Sequence, residues 1–208
     1  KSILLEVDSP LYQDARDVLA RFAELEKSPE YIHTYRITAL SLWNAASAGM
    51  TAEAILDGLD RYSKYPVPDN VRVDVADYVG RYGRLKLVRR DGSLLLISDD
   101  AALIAEVARH KQVAPFVIAP LGPHTLQVEP ARRGYIKQAL VHIGYPAEDL
   151  AGYVDGERMA FQLRALTLGS QPFGLRSYQQ EAAEIFHAGG AAHGGSGVIV
   201  LPCGAGKT

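Results

Sequence analysis

The sequence predicts a multidomain α/β protein on three observations. Apolar residues recur at helical spacing in stretch after stretch before residue 110, interrupted by short runs of strand type. Over 111–123 the pattern changes to proline-punctuated apolar residues. Finally, the continuous apolar run Val198-Ile199-Val200-Leu201 leads directly into a glycine-rich turn, as a parallel strand buried on both faces does. With 208 residues, 48% apolar and 22% charged, the chain can bury real cores. It is neither a disordered tail nor a disulfide-stapled mini-protein.

Each element has a local reason. Ile3 to Val7 reads as a strand, and Pro10 to Glu26 as a helix striped by Ala15, Val18, Leu19, Phe22 and Leu25. Ser28-Pro29 closes that helix, and a strand-like bridge from Tyr31 to Ile37 leads to a second helix over about 39–48. Thr51 is placed to cap a third, carrying Ala54, Ile55, Leu59 and Tyr62 inward. After Pro66-Val67-Pro68 a fourth helix covers 69–82. Strands over 84–88 and 94–98 follow, joined at Asp91-Gly92, a strong hairpin signal. Asp99 or Asp100 caps a helix that ends near His110. Short helices followed by a hairpin give the order of a winged-helix domain.

The remainder reads as a small α/β unit, a linker and a phosphate-loop start. Thr125 to Glu129 is a strand, and Pro130 opens a helix striped by Tyr135, Ile136, Ala139, Leu140 and Ile143. From 152 to 174 no period is clear, so this stretch reads as a linker in which an edge strand has room to form. Ser177 to His187 reads as a helix and Ala188 to Gly197 as a glycine-rich loop. The expected domains are therefore 1–111, 112–155, a linker over 156–173, and 174–208.

Composition narrows the function classes. The formal charge of −2 excludes a polycation that holds nucleic acid by bulk charge, so any such binding must come from a local patch. Cys203 is the sole cysteine, and the six histidines show no ligand spacing. A reducing, cytosol-like compartment is expected and a metal site gains no support. No apolar run approaches the roughly 18 to 20 residues of a membrane span, so a soluble protein without membrane contact is expected. The chain starts without Met and stops at Thr208 inside a motif, which gives the expectation of a piece of a longer protein.

Pro202-Cys203-Gly204-Ala205-Gly206-Lys207-Thr208 after the apolar run has the layout of a phosphate loop. Its glycines let successive N–H groups curl round a phosphate, the Lys207 ammonium meets the β and γ phosphates of ATP, and the Thr208 hydroxyl ligates Mg²⁺. Leu201 stands where the full pattern has glycine. Hydrolysis also needs an acidic motif and an arginine, neither of which can follow within this chain, so the chain alone is expected to be inactive.

The stretch from Ser196 to Thr208 closely resembles the first ATPase motif of the XPB DNA repair helicases, in helicase superfamily 2. Leu175-Arg176-Ser177-Tyr178-Gln179 resembles the segment upstream of it in that family. Ile32 to Trp43, Ala48-Gly49-Met50, Pro66-Val67-Pro68 and Tyr82 to Val88 resemble the family's N-terminal domain. The resemblance implies that Gln179 reads the adenine edge with Arg176 beside it, that Gly204, Ala205, Gly206, Lys207 and Thr208 hold ATP and Mg²⁺, and that residues 112–155 are a small damage-recognition domain. Ser177 departs from the family, which often has proline there.

It further implies a RecA-like motor domain beginning at 174, and an ATP-driven 3′ to 5′ translocase that opens forked or damaged DNA in nucleotide excision repair. A nuclease is the implied partner in prokaryotes, where the protein would be cytoplasmic and nucleoid-associated. TFIIH subunits are implied in eukaryotes, where it would be nuclear.

Two basic groups are candidates for DNA. One is Arg81, Arg84, Lys86, Arg89 and Arg90, on and just before the hairpin, with Arg109 and Lys111 nearby in sequence, which is read equally well as a solvated strand face. The other is Arg132, Arg133 and Lys137, opposite an apolar stripe, as on any surface helix. Trp43 reads as core and Tyr145 and Tyr153 as turn packing. Alternatives from other classes are a winged-helix module for DNA binding or protein docking with a vestigial loop, and, ranked last, a phosphate-loop kinase.

Overall fold

A computed structural model describes residues 1–152, 159–190 and 198–206. The chain forms two compact units, Lys1–Val154 and Asp155–Thr208. Among the described residues no helix is long and apolar enough to cross a membrane.

The first unit holds two separate apolar cores. Its first half runs β1 (Ser2–Glu6), α1 (Tyr12–Leu19), β2 (Glu24–Lys27), β3 (Ile32–Arg36), α2 (Ala39–Ser47), α3 (Ala52–Tyr62) and α4 (Asp69–Arg81). The strands form an antiparallel sheet in the order β1-β3-β2, with Ile3 and Leu25 both opposite Tyr35. Phe22, Leu42, Ile55 and Val75 fill the space between this sheet and the helices. Helix α2 starts from a reciprocal cap: Thr38 Oγ1 accepts from the Ser41 N–H and Ser41 Oγ from the Thr38 N–H, both at 3.0 Å. Thr51 caps α3 through the Ala54 N–H at 3.2 Å. Trp43 is buried as expected, its Nε1 donating to the Tyr78 carbonyl at 2.9 Å.

One expected element divides. The helix read over 10–26 ends at Leu19, and Glu24–Lys27 leaves as β2. The spacing of Phe22 and Leu25 suits a helix, but Phe22 turns into the core and Leu25 pairs with Tyr35. Sheet pairing at long range overrides the local period here.

The second half comprises β4 (Leu85–Arg90), β5 (Ser93–Ile97), α5 (Ala101–Arg109), β6 (Val117–Gly122), β7 (Thr125–Val128), α6 (Arg133–His142) and β8 (Ala147–Asp149). Its five strands take the order β6-β7-β5-β4-β8, antiparallel except for β4 with β8. Asp91 and Gly92 both have positive φ, +49° and +77°, as the tight hairpin turn requires. Asp100 caps α5, accepting from the Ala102 and Leu103 N–H groups at 3.0 and 3.1 Å. Leu85, Leu87, Leu94, Leu96, Leu126 and Val128 of the sheet pack with Val107 of α5 and Ile136 and Leu140 of α6.

This arrangement corrects two expectations. The β4–β5 hairpin is not a wing, because β7 lies along β5 and β8 along β4. The boundary expected between 111 and 112 runs through one sheet, since Leu94–Ile97 pair with Thr125–Val128. The physical reason is visible in the alternation of Leu85 and Leu87 on β4 and of Leu94 and Leu96 on β5. All four are fully buried, and a free hairpin has nothing to bury them against.

In the second unit, α7 (Ser177–His187) spans the residues expected of it. The stretch from 159 to 173 is irregular apart from one bridge between Leu166 and Pro172, and 156–158 lie outside the described residues. The strand expected at 198–201, as the opening of a RecA-like sheet, is not formed: Val198 and Val200 are 88% and 86% exposed. A run that is apolar on both faces needs strands on either side, and among the described residues none pairs with it. Tyr153, His193, Ser196 and Gly197 lie outside the described residues.

Candidate functional site

The second unit brings the expected loop residues against the start of α7. Gly204 and Gly206 have left-handed φ of +78° and +71°, while Ala205 between them does not. This alternation suits a concave run of N–H groups. The Ala205 N–H donates to the Pro202 carbonyl at 3.3 Å, closing a turn. Ala205 is buried, and Cys203 is exposed and free.

Helix α7 holds this loop from one side. Tyr178 Oη donates to the Ala205 carbonyl at 2.9 Å, and Gln179 Nε2 reaches the carbonyls of Ala205 and Gly206, each at 3.1 Å. Gln179 Oε1 accepts from the Arg176 N–H at 2.9 Å, and Arg176 Nη1 contacts Tyr178 Oη at 3.4 Å. A Cβ on Gly206 would stand 2.8 Å from Gln179 Nε2, the movable end of a flexible side chain, so it is the φ of +71° that favours glycine here.

Five residues expected to act together, Arg176, Gln179, Gly204, Ala205 and Gly206, are therefore adjacent, while Lys207 and Thr208 lie outside the described residues. Gln179, expected to read adenine, has its amide engaged with the loop. Tyr178 was given no role by the sequence, although its hydroxyl is a direct contact; its position one residue before Gln179 was the available signal.

The basic residues of the first unit divide into two kinds. Arg89 and Arg90 end β4, are exposed, and have no ion-pair partner among the described residues. Arg133 and Lys137 converge instead on Asp149 of β8: Arg133 Nε and Nη2 reach its two oxygens at 2.9 and 2.6 Å, and Lys137 Nζ lies at 2.9 Å. Burial pushes the Asp149 carboxyl up. The hydrogen bonds from Arg133 and Lys137, the Lys137 charge and the Ala151 N–H outweigh it and hold the carboxyl below the ordinary carboxylate value. These two cations bind the last strand of the sheet to α6. Arg132 is exposed and weakly paired with Glu129 at 3.5 Å.

Among the described residues no group of three or more histidine, cysteine or acidic side chains could hold a metal ion.

Comparison with known proteins agrees with the sequence resemblance. Residues 1–121 match the family described as helicase conserved C-terminal domain. The match covers the first sheet and the second as far as β6, and excludes the loop at 202–206. The whole chain is 51% identical to DNA 3′-5′ helicase XPB of Mycobacterium tuberculosis, covering 36% of that protein. It is 48% identical to the Kineococcus radiotolerans protein of the same name, again covering 36%. Over 99% of the chain it is 32% identical to the general transcription and DNA repair factor IIH helicase/translocase subunit XPB of Enterocytozoon bieneusi, covering 33% of it. The chain thus spans about a third of the length of the curated relatives it matches. From the family match over more than half of its residues and these identities along its length, the chain belongs to the helicase conserved C-terminal domain family, among the XPB-type helicases.

Proposed function

We propose that the full-length protein is an ATP-dependent 3′ to 5′ DNA helicase or translocase acting in nucleotide excision repair, and that the first unit of this chain is its regulatory and DNA-sensing part. The observation that carries the motor reading is the loop at 202–206, with left-handed glycines and carbonyls drawn onto α7. In this reading the loop N–H groups receive phosphate oxygens, Lys207 neutralises the β and γ phosphates, and Thr208 ligates the Mg²⁺ that accompanies ATP. Bound ATP supplies the phosphoryl bond whose hydrolysis drives movement. The chain's own residues hold and orient it.

DNA, forked or damaged, is the proposed substrate, with Arg89 and Arg90 as its contacts in the first unit. A nuclease is the proposed partner if the source is prokaryotic, and subunits of a transcription and repair factor if it is eukaryotic. The corresponding settings are the nucleoid and the nucleus.

The test is the ATPase rate of the full-length protein with and without forked DNA, beside a Lys207→Ala control. DNA-stimulated turnover that disappears in the control is expected. Turnover indifferent to DNA would move the weight to a docking module, and turnover that needs a small acceptor would favour a kinase.

A further inference from the structure

We infer that Tyr178 is a positioning residue of the phosphate loop, its hydroxyl holding the Ala205 carbonyl so that the loop's N–H groups face a phosphate. The inference rests on the nucleotide reading above and adds a residue to it. Three observations carry it. Tyr178 Oη donates to the Ala205 carbonyl at 2.9 Å, while Gln179 Nε2 donates to the same oxygen and to that of Gly206. The phenol oxygen also has a donor of its own in Arg176 Nη1 at 3.4 Å, which leaves its hydrogen for Ala205. Ala205 is buried in an otherwise exposed turn.

The direction of the loop follows from peptide geometry. In a trans peptide the carbonyl and the next N–H point opposite ways, and none of the described peptides is cis. An Ala205 carbonyl drawn toward α7 therefore turns the Gly206 N–H away from the helix. A loop whose carbonyls were unheld could present them to the same space, where oxygen would repel phosphate. The brace thus selects the donor face in advance, lowering the ordering cost of binding. Gln179 acts in the same brace, and an adenine contact by its amide would have to compete with these two carbonyls.

The experiment is binding of three probes to the full-length protein: inorganic triphosphate with Mg²⁺, ADP with Mg²⁺, and adenosine. Tyr178→Phe keeps the ring and removes the donor, and Gln180→Ala, on the neighbouring exposed position, is the control. The expected result is that triphosphate and ADP weaken by the same factor, about fivefold for one lost hydrogen bond, while adenosine is unmoved. Unchanged melting temperature and helicity separate this from a folding defect. Gln179→Met, which removes the amide donor at similar length, gives an independent reading and should also weaken triphosphate.

Loss confined to ADP and adenosine in both variants would show base recognition and overturn the inference, as would triphosphate affinity unmoved by either. Wild-type protein that binds neither triphosphate nor ADP would overturn the nucleotide reading itself.

Discussion

Arg133 and Asp149 face each other as a fork on a fork: Nε meets Oδ2 at 2.9 Å and Nη2 meets Oδ1 at 2.6 Å, with both side chains mostly removed from water. Arg133 also donates from Nη1 to the Gly152 carbonyl. The pair ties the start of α6 to β8, the short parallel strand at the edge of the five-stranded sheet. Replacing Arg133 by Ala leaves a half-buried carboxylate with only Lys137 and the Ala151 N–H. The expected loss is about 1–2 kcal/mol of stability, read from urea midpoints. If Arg133 instead served DNA, Arg133→Ala would cut DNA affinity at unchanged stability.

The same carboxylate gives a pH dependence. Its folded pKa lies below the ordinary carboxylate value, about 4 when unfolded. The folded state therefore binds the proton less readily than the unfolded state does. The stabilisation from Asp149 is complete above that unfolded value and is lost as pH falls through the lower folded one. Asp100, held down first by the Leu103 N–H and also by the Ala102 N–H and Arg84, acts in the same direction. Urea unfolding at pH 7, 5, 4 and 3 should show loss confined to the acid end. Asp149→Asn should flatten that loss, and a fall already present between pH 7 and 5 would contradict the assignment.

Gly58 lies inside α3, where alanine would ordinarily stabilise by up to about 1 kcal/mol. A Cβ there would stand 2.9 Å from Val18 Cγ1 and 3.9 Å from Phe22 Cε1. Valine is stiff and cannot swing aside, so Gly58→Ala should destabilise by about 1–2 kcal/mol from overpacking. Val18→Ala in the same chain should recover part of that loss. Additive effects of the two substitutions in thermal melts would show that α1 and α3 do not meet at this point.

What the sequence made legible follows the range of each interaction. The caps at Thr51 and Asp100, the Asp91-Gly92 turn and the whole of α7 depend on residues within a few positions, and each stands where local chemistry put it. The strand at 24–27 did not, because its reason for existing is Tyr35, ten residues beyond Leu25. Nor did β8, three residues whose partner is the distant β4, or the central place of the hairpin, which is decided by β7. In the candidate site the glycines announced the turn, whereas Tyr178 meets Ala205 across 27 positions of sequence.

The chain passes from one core of the first unit to the other at Tyr82 and Gly83, between Val79 and Leu85, where Gly83 takes a φ of +80°. Arg81, at the end of α4, lies over the rings of Tyr78 and Tyr145 at 5.6 and 5.5 Å, and Arg84 lies over Tyr145 at 5.8 Å. Cation–π interactions of this kind contribute about 0.5–1 kcal/mol each when exposed. Tyr145→Ala should uncouple the cores, and Tyr145→Phe should not. Trp43, the sole tryptophan, reports on the first core. In wild-type chain its fluorescence transition should coincide with the loss of far-ultraviolet circular dichroism, and in Tyr145→Ala the two should separate. Coincident transitions in both variants would place the coupling elsewhere.

Arg89 and Arg90 are an adjacent basic pair of the first unit without an acidic partner among the described residues. Side chains of this kind lose little on meeting a phosphate, since no existing ion pair has to break. If both meet the backbone of forked DNA, Arg89→Ala with Arg90→Ala should weaken binding and lower the slope of log affinity against log salt by about 2, close to one for each phosphate left without its arginine. Their place at the hairpin end, past the last buried leucine of β4, makes the double variant structurally cheap, so unchanged melting temperature is expected beside the weakened binding. An unchanged slope would instead mean that this end of the sheet faces a protein partner or solvent, and that the full-length protein meets DNA through residues outside the first unit.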